Sequence, residues 1–175
     1  MTRMTPLGAV TRGLLAGAVG TLAMDALLFW RYKRGGGPDK FLAWEFSAGV
    51  DSWADAPAPA QVGRRLFEGL FQRKLPDSSA ALVNNITHWG YGMLAGAQYG
   101  LLAGSARRPR VAYGIPFGAG VWATSYAVLP AAGLYQPIYK YDRVTLAKDL
   151  SAHLLYGATT GAAFAGLVPR AGARR

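Results

Sequence analysis

His88 and His153 are the only imidazoles in the chain, and each follows a polar side chain by one helical turn, Asn84 in the first case and Asp149 in the second. In a helix, positions i, i+4, i+8 and i+12 lie on one face. Each histidine therefore belongs to a stripe that is polar at one end and bare backbone at the other: Asn84, His88, Gly92, Gly96 and Asp149, His153, Gly157, Gly161. A carboxylate beside an imidazole forms a pair whose charge changes near neutral pH. With Asp25 as a further acid and Tyr91 and Tyr156 as hydroxyl donors, the pattern suits a polar cavity for protons, ions or a small solute. The same residue types also hydrogen-bond to one another across helices with no solute present, each bond contributing about 0.6 kcal/mol on average. A third use is metal binding, since His88, His153, Asp149 and Asp25 are acceptable zinc ligand types. The chain lacks a local signature such as His-Glu-x-x-His, so neither a metal nor a cofactor is assigned. Nor does it show a Ser/His/Asp arrangement on an elbow motif or acids paired as in glycosidases, and no catalytic residue is assigned.

The elements that must position these residues repeat. The segment Asn84–Gly100 returns as Asp149–Ala165 at a constant offset of 65, placing His88 on His153, Tyr91 on Tyr156, Gly92 on Gly157 and Gly96 on Gly161. A second match, at an offset of 101, lays Gly13, Gly17, Thr21 and Asp25 on Gly114, Gly118, Trp122 and Tyr126. Glycines four apart let helix backbones approach closely, so Gly13, Gly17, Gly92, Gly96, Gly100, Gly114, Gly118, Gly157 and Gly161 are expected packing positions. The chain reads as a duplicated helical hairpin with both copies in one orientation. Chance similarity between helices rich in glycine and alanine is the competing explanation.

Each match sits inside an apolar run of the roughly 20 residues that a helix needs to cross a bilayer. The expected fold is an all-α, integral membrane four-helix bundle, a single membrane domain over 1–175 with spans at about 7–30, 80–104, 111–130 and 144–168. The first run resembles a secretory signal, but it is long, contains Asp25 and ends in Arg31-Tyr32-Lys33-Arg34, which favours a retained helix. The mean hydropathy of +0.13 is low only because the polar segment between Arg31 and Ser79 dilutes the runs. That extramembrane loop opens with Gly35-Gly36-Gly37-Pro38, a stop, and passes the hinge Ala56–Pro59. It then carries an amphipathic helix over Gln61–Leu75, expected flat on the membrane surface or over the helix ends.

Nineteen Lys and Arg against nine Asp and Glu give a net charge of +10. The bases flank the apolar runs, a pattern of membrane orientation and anionic headgroups rather than of nucleic-acid binding. Arg3, Arg12, Arg107, Arg108, Arg110, Arg170, Arg174 and Arg175 fall on one side with no acid, which puts the termini in the cytoplasm, against the opposing cluster Arg31–Arg34. The absence of cysteine removes disulfides and thiolate metal sites. Four spans are few for a solitary transporter, so a homo-oligomer is a candidate assembly by analogy, with the lipid bilayer as the other partner.

The His88 helix, the aromatic link Tyr135–Tyr141 with Asp142-Arg143-Val144-Thr145, and the His153 helix resemble the YagU-like family of small bacterial inner-membrane proteins. The resemblance covers Asn84 to Gly166 and implies four membrane helices in a bacterial plasma membrane, with no catalytic or binding residues to carry over. Two functions are therefore expected: a transport-related or channel-like protein with a polar layer on the long-loop side, or a membrane scaffold or assembly subunit with no substrate of its own.

Overall fold

The computed structural model describes residues 4–47, 49–106 and 111–168. Among these, the regular elements are all helical: α1 (Pro6–Arg34), α2 (Phe41–Glu45), α3 (Ala58–Phe71), α4 (Ala80–Ser105), α5 (Gly114–Ala131) and α6 (Arg143–Leu167). Of the arginines that set the expected orientation, only Arg12 lies within the described residues.

Local chemistry explains where the helices begin and end. The Thr5 hydroxyl accepts the Gly8 N–H and Pro6 opens α1, where its missing donor costs nothing. The helix runs past Trp30 to Arg34 because Arg31, Lys33 and Arg34 are good helix formers and complement the negative end of the dipole. It ends at the glycines, with Gly36 at φ +89°. The segment Ala56–Pro59, expected as a hinge, instead starts α3 at Ala58, since Pro57 and Pro59 fall where a helix tolerates proline. That helix stops at Gln72 in the left-handed region, short of Leu75.

Asp142 caps α6, its carboxylate accepting the Val144 and Thr145 N–H groups at 2.9 Å each and the Thr145 hydroxyl at 2.6 Å. The Thr145 hydroxyl and then its N–H hold this carboxyl below the usual carboxylate range. A group whose folded pKa is depressed contributes stability above its unfolded pKa and loses it as pH falls through the folded one. Asp142→Ala is therefore expected to lower the melting temperature at neutral pH. The gap between variant and parent should close on acidification, which thermal unfolding at several pH values checks.

The long helices pack antiparallel along two glycine seams. In the first, Gly13 and Gly17 of α1 meet Gly92, Gly96 and Gly100 of α4; in the second, Gly114 and Gly118 of α5 meet Gly157 and Gly161 of α6. A Cβ on Gly96 would stand 2.7 Å from the Gly17 nitrogen, and one on Gly157 2.7 Å from the Gly118 nitrogen, so both seams are backbone against backbone. α1 also lies against α6, with Gly20 facing Tyr156 and Thr160. Arg12 donates to the Leu167 carbonyl (3.0 Å) at one end of this contact, and Arg31 to the Lys148 carbonyl and Ser151 hydroxyl (both 2.8 Å) at the other. The wider gap between α4 and α5 is filled by Tyr99, whose ring meets Phe117 at 5.2 Å and Phe164 at 5.7 Å.

Around Phe164, Tyr99, Tyr156 and Met24 the interior is made of small and polar groups. Ala9, Ala16, Ala95, Ala103, Ala152, Thr21, Asp25 and Thr160 are buried, while Leu15, Leu22, Leu82, Ile86, Leu94, Leu102, Ile115, Val128 and Val144 are exposed. One described helix, α1, is both long and apolar enough to cross a membrane. Although α4, α5 and α6 are 26, 18 and 25 residues long, Asn84, Asn85, His88 and Gln98, then Thr124, Ser125 and Tyr126, then Lys148, Asp149, Ser151 and His153 dilute their hydropathy.

The loop folds back on the helices. Gly35–Gly37 reverse the chain, with a Cβ at Gly37 barred by the Tyr32 ring. The Tyr32 hydroxyl donates to Asp39, and Phe29 packs on Phe41 and Trp44 at 5.2 and 5.5 Å, docking α2 on the end of α1. The second half of the loop closes over its own small core of Trp53, Ala60 and Ala80. α3 lies along α4, Gly63 facing Val83 and Thr87, and leaves Leu66, Leu70 and Phe71 exposed.

Candidate functional site

Asp25 and His88 form an ion pair across the first seam, His88 Nε2 to Asp25 Oδ1 at 2.9 Å. Asp25 is 3% exposed. Their meeting follows from the antiparallel register that sets Thr21 beside Gly92, one helical turn further along α1 and one back along α4. Over this pair comes a residue that the sequence pattern does not single out. Glu45, the last residue of α2, accepts from the Trp89 indole N–H at 2.8 Å and interacts with the Asp25 side chain. Burial above all, with the Asp25 charge adding to it, raises the Glu45 carboxyl above the ordinary carboxylate range, against the Trp89 hydrogen bond and the His88 charge. Asp25 Oδ2 and Glu45 Oε2 are both buried and neither meets a donor among the described residues.

The turn after α2 is fastened to α4 as well. Ser47, a non-glycine residue at φ +60°, receives the side-chain N–H groups of Asn84 at 2.8 Å and Asn85 at 3.0 Å on its hydroxyl. A left-handed backbone at such a residue costs of order 1–3 kcal/mol and persists only where its surroundings fix it; here the two amides do so. Asn84 thus serves the loop rather than its own stripe partner His88.

The other acid–imidazole pair is separate. Within α6, His153 Nδ1 stands 3.4 Å from Asp149 Oδ1 and 3.0 Å from the Asp149 carbonyl oxygen. Tyr126 of α5 lies beside Asp149. Both line an open cleft of about 410 Å³ with Leu28, Arg31, Tyr135, Tyr141, Thr145 and Lys148. The rings of Tyr126, Tyr135 and Tyr141 pack on one another with centroids 5.3–6.1 Å apart. Burial and the nearby Asp149 charge push the Tyr135 phenol up.

The two pairs share one level but not one chamber. Along the α1–α6 contact, Gly20 faces Tyr156 and Thr160 while Arg31 reaches Lys148 and Ser151, so Asp25 falls opposite the turn of α6 that carries His153. The carboxylate has changed sides between the copies. In the first it sits on α1 and the equivalent position of α4 is Asn84; in the second it sits on α6 and the position equivalent to Asp25 is Tyr126. The tyrosines differ too. Tyr156 is buried and donates to the Gly92 carbonyl at 2.6 Å, whereas Tyr91 is half exposed beside Ser125. The difference arises because α6 packs on α1 as well as on α5, while the corresponding flank of α4 is covered by α3. Among the described residues no three His, Asp or Glu side chains converge so as to hold a metal ion. No protein-family model, curated protein or solved structure matches this chain.

Proposed function

We propose that the chain is a four-span protein of a bacterial plasma membrane, transport-related or channel-like, whose acid–imidazole pairs bind protons or ions on the side of the long loop. The observation that carries this reading is the burial of Asp25 against His88 in a helix otherwise apolar enough to span. A charged side chain near the centre of a membrane helix costs about 2.5–3.5 kcal/mol on insertion scales and survives chiefly where it is paired and functional. Support for lipid as the solvent comes from the distribution of side chains. Glycine, alanine and threonine line the helix contacts, with Phe164, Tyr99, Tyr156 and Met24 as the large side chains inside, while many leucines, isoleucines and valines face outward, unlike a water-soluble bundle. The YagU-like resemblance, carried by the two histidine helices, belongs to the same proposal.

A specific observation favours the second reading, a scaffold or assembly subunit: the two pairs are held apart, and the half of each hairpin away from the long loop is closed backbone to backbone. Flux separates the two. In proteoliposomes the parent protein should carry a pH- or ion-dependent flux that Asp149→Asn and His153→Ala remove while both variants still fold. Full flux in both variants ends the reading of the second pair as a solute site, and no flux in the parent favours the scaffold.

A further inference from the structure

We infer that Asp25 and Glu45 form a proton-binding site, a carboxyl–carboxylate pair that holds one proton between Asp25 Oδ2 and Glu45 Oε2. This deepens the transport reading by naming the proton as the bound species. Three features on different elements converge on it. The two oxygens are buried without a donor, although every other strong contact of these side chains is made: Asp25 Oδ1 with His88, Glu45 Oε1 with Trp89. Buried acceptors that meet no donor are uncommon in folded proteins, because each forfeits its hydration. The Glu45 and Asp25 side chains lie within each other's reach, so a single hydrogen shared between them would satisfy both.

Charge gives the same answer. The ionisable groups that face Glu45 are Asp25 from α1 and His88 from α4. With His88 protonated, a shared proton leaves Asp25, Glu45 and His88 neutral as a set; without it they carry one negative charge in a poorly hydrated place. Two carboxylates in contact cannot both ionise readily, which favours keeping one proton on the pair, and burial of Glu45 acts in the same direction. Binding is a simple association: one proton from water adds to the dianionic pair, and its loss returns it to water.

The geometry also says what the proton controls. Glu45 is the only acid on α2, and its neutral form is the one compatible with contact to Asp25. Proton loss therefore sets like charges against each other across the α1–α2 contact, opposing the aromatic docking of Phe29, Phe41 and Trp44 and the anchoring of Ser47 by Asn84 and Asn85.

Infrared spectroscopy of the detergent-purified protein reads the site without any assay of flux. At neutral pH a protonated-carboxyl stretch is expected, shifted on exchange into heavy water and lost in both Glu45→Gln and Asp25→Asn. It should remain in Glu68→Gln, a variant of a half-buried acid on α3 that pairs with Arg64 away from this site. Trp89→Phe, which leaves both carboxyls in place, should keep the band with an altered frequency and so guards against loss through misfolding. Absence of the band in the parent, or its persistence in both Glu45→Gln and Asp25→Asn, overturns the proposal. A band without flux leaves the proton site standing and removes transport; flux without a band does the reverse.

Discussion

Gly96→Leu is expected to abolish the folded protein, and Gly96→Ala to destabilise it heavily. A methyl on Gly96 would run into the carbonyl oxygen of Gly13 and the Cα and nitrogen of Gly17. Overpacking in a dense interior typically costs about 1–3 kcal/mol when side chains can shift aside. Here the obstacles are backbone atoms of the neighbouring helix, which cannot rotate away, so alanine belongs at the top of that range and leucine beyond it. Gly90, on the same helix, supplies the contrast because nothing lies within 4 Å of its absent Cβ. Gly90→Ala should stabilise by about 0.5–1 kcal/mol, the usual gain from replacing a mid-helix glycine. Thermal unfolding in detergent, followed by circular dichroism, ranks the three variants. If Gly96→Ala melts with the parent, the close approach of α1 to α4 is wrong.

Removal of the His88 imidazole should produce the second large loss. Breaking a buried ion pair by deleting one partner costs about 3–5 kcal/mol, because the survivor keeps its desolvation penalty and loses its counterion. His88→Ala leaves Asp25, 3% exposed, in that position with Glu45 as its remaining neighbour. His88 is itself part-exposed, so water reaching the gap places the loss at the lower end. Asp25→Asn keeps a carbonyl oxygen for His88 Nε2 and should cost less. In a double-mutant cycle the pair should be less damaging together than the sum of the single changes, since the double variant no longer strands the Asp25 carboxylate without its imidazole. Strict additivity would mean that the 2.9 Å contact carries no coupling.

The spacing of glycines in the sequence points to the seams, and the constant offsets, which lay α4 on α6 and α1 on α5, imply a repeated hairpin of α1 with α4 and of α5 with α6. Asp25, His88, Asp149 and His153 are visible for a similar reason: ionisable groups inside apolar runs stand out against their surroundings. Glu45 does not. It lies among Asp39, Lys40 and Asp51 in a loop where charge is unremarkable, and only the return of the chain at Gly35–Gly37 carries it to Asp25. The available signal was the acid between Trp44 and Phe46, set soon after a triple-glycine reversal. Nor does a periodic pattern reveal that α6 lies against α1 while the matching flank of α4 receives α3. For that reason Tyr91 and Tyr156, equivalent in sequence, occupy unlike places, and one expected chamber becomes two separate pairs.

The arginine clasps at both ends of α1 bear on biosynthesis. Arg12 and Arg31 reach for groups on α6, so α1 waits for a helix synthesised well after it before these contacts form. Until then its Gly20 and Thr21 edge has only α4 to lean on. Assembly is therefore governed by the slow joining of distant segments rather than by neighbouring hairpins alone. A chain stalled before Arg143 would present an unfinished α1 to whatever quality-control machinery patrols its surroundings.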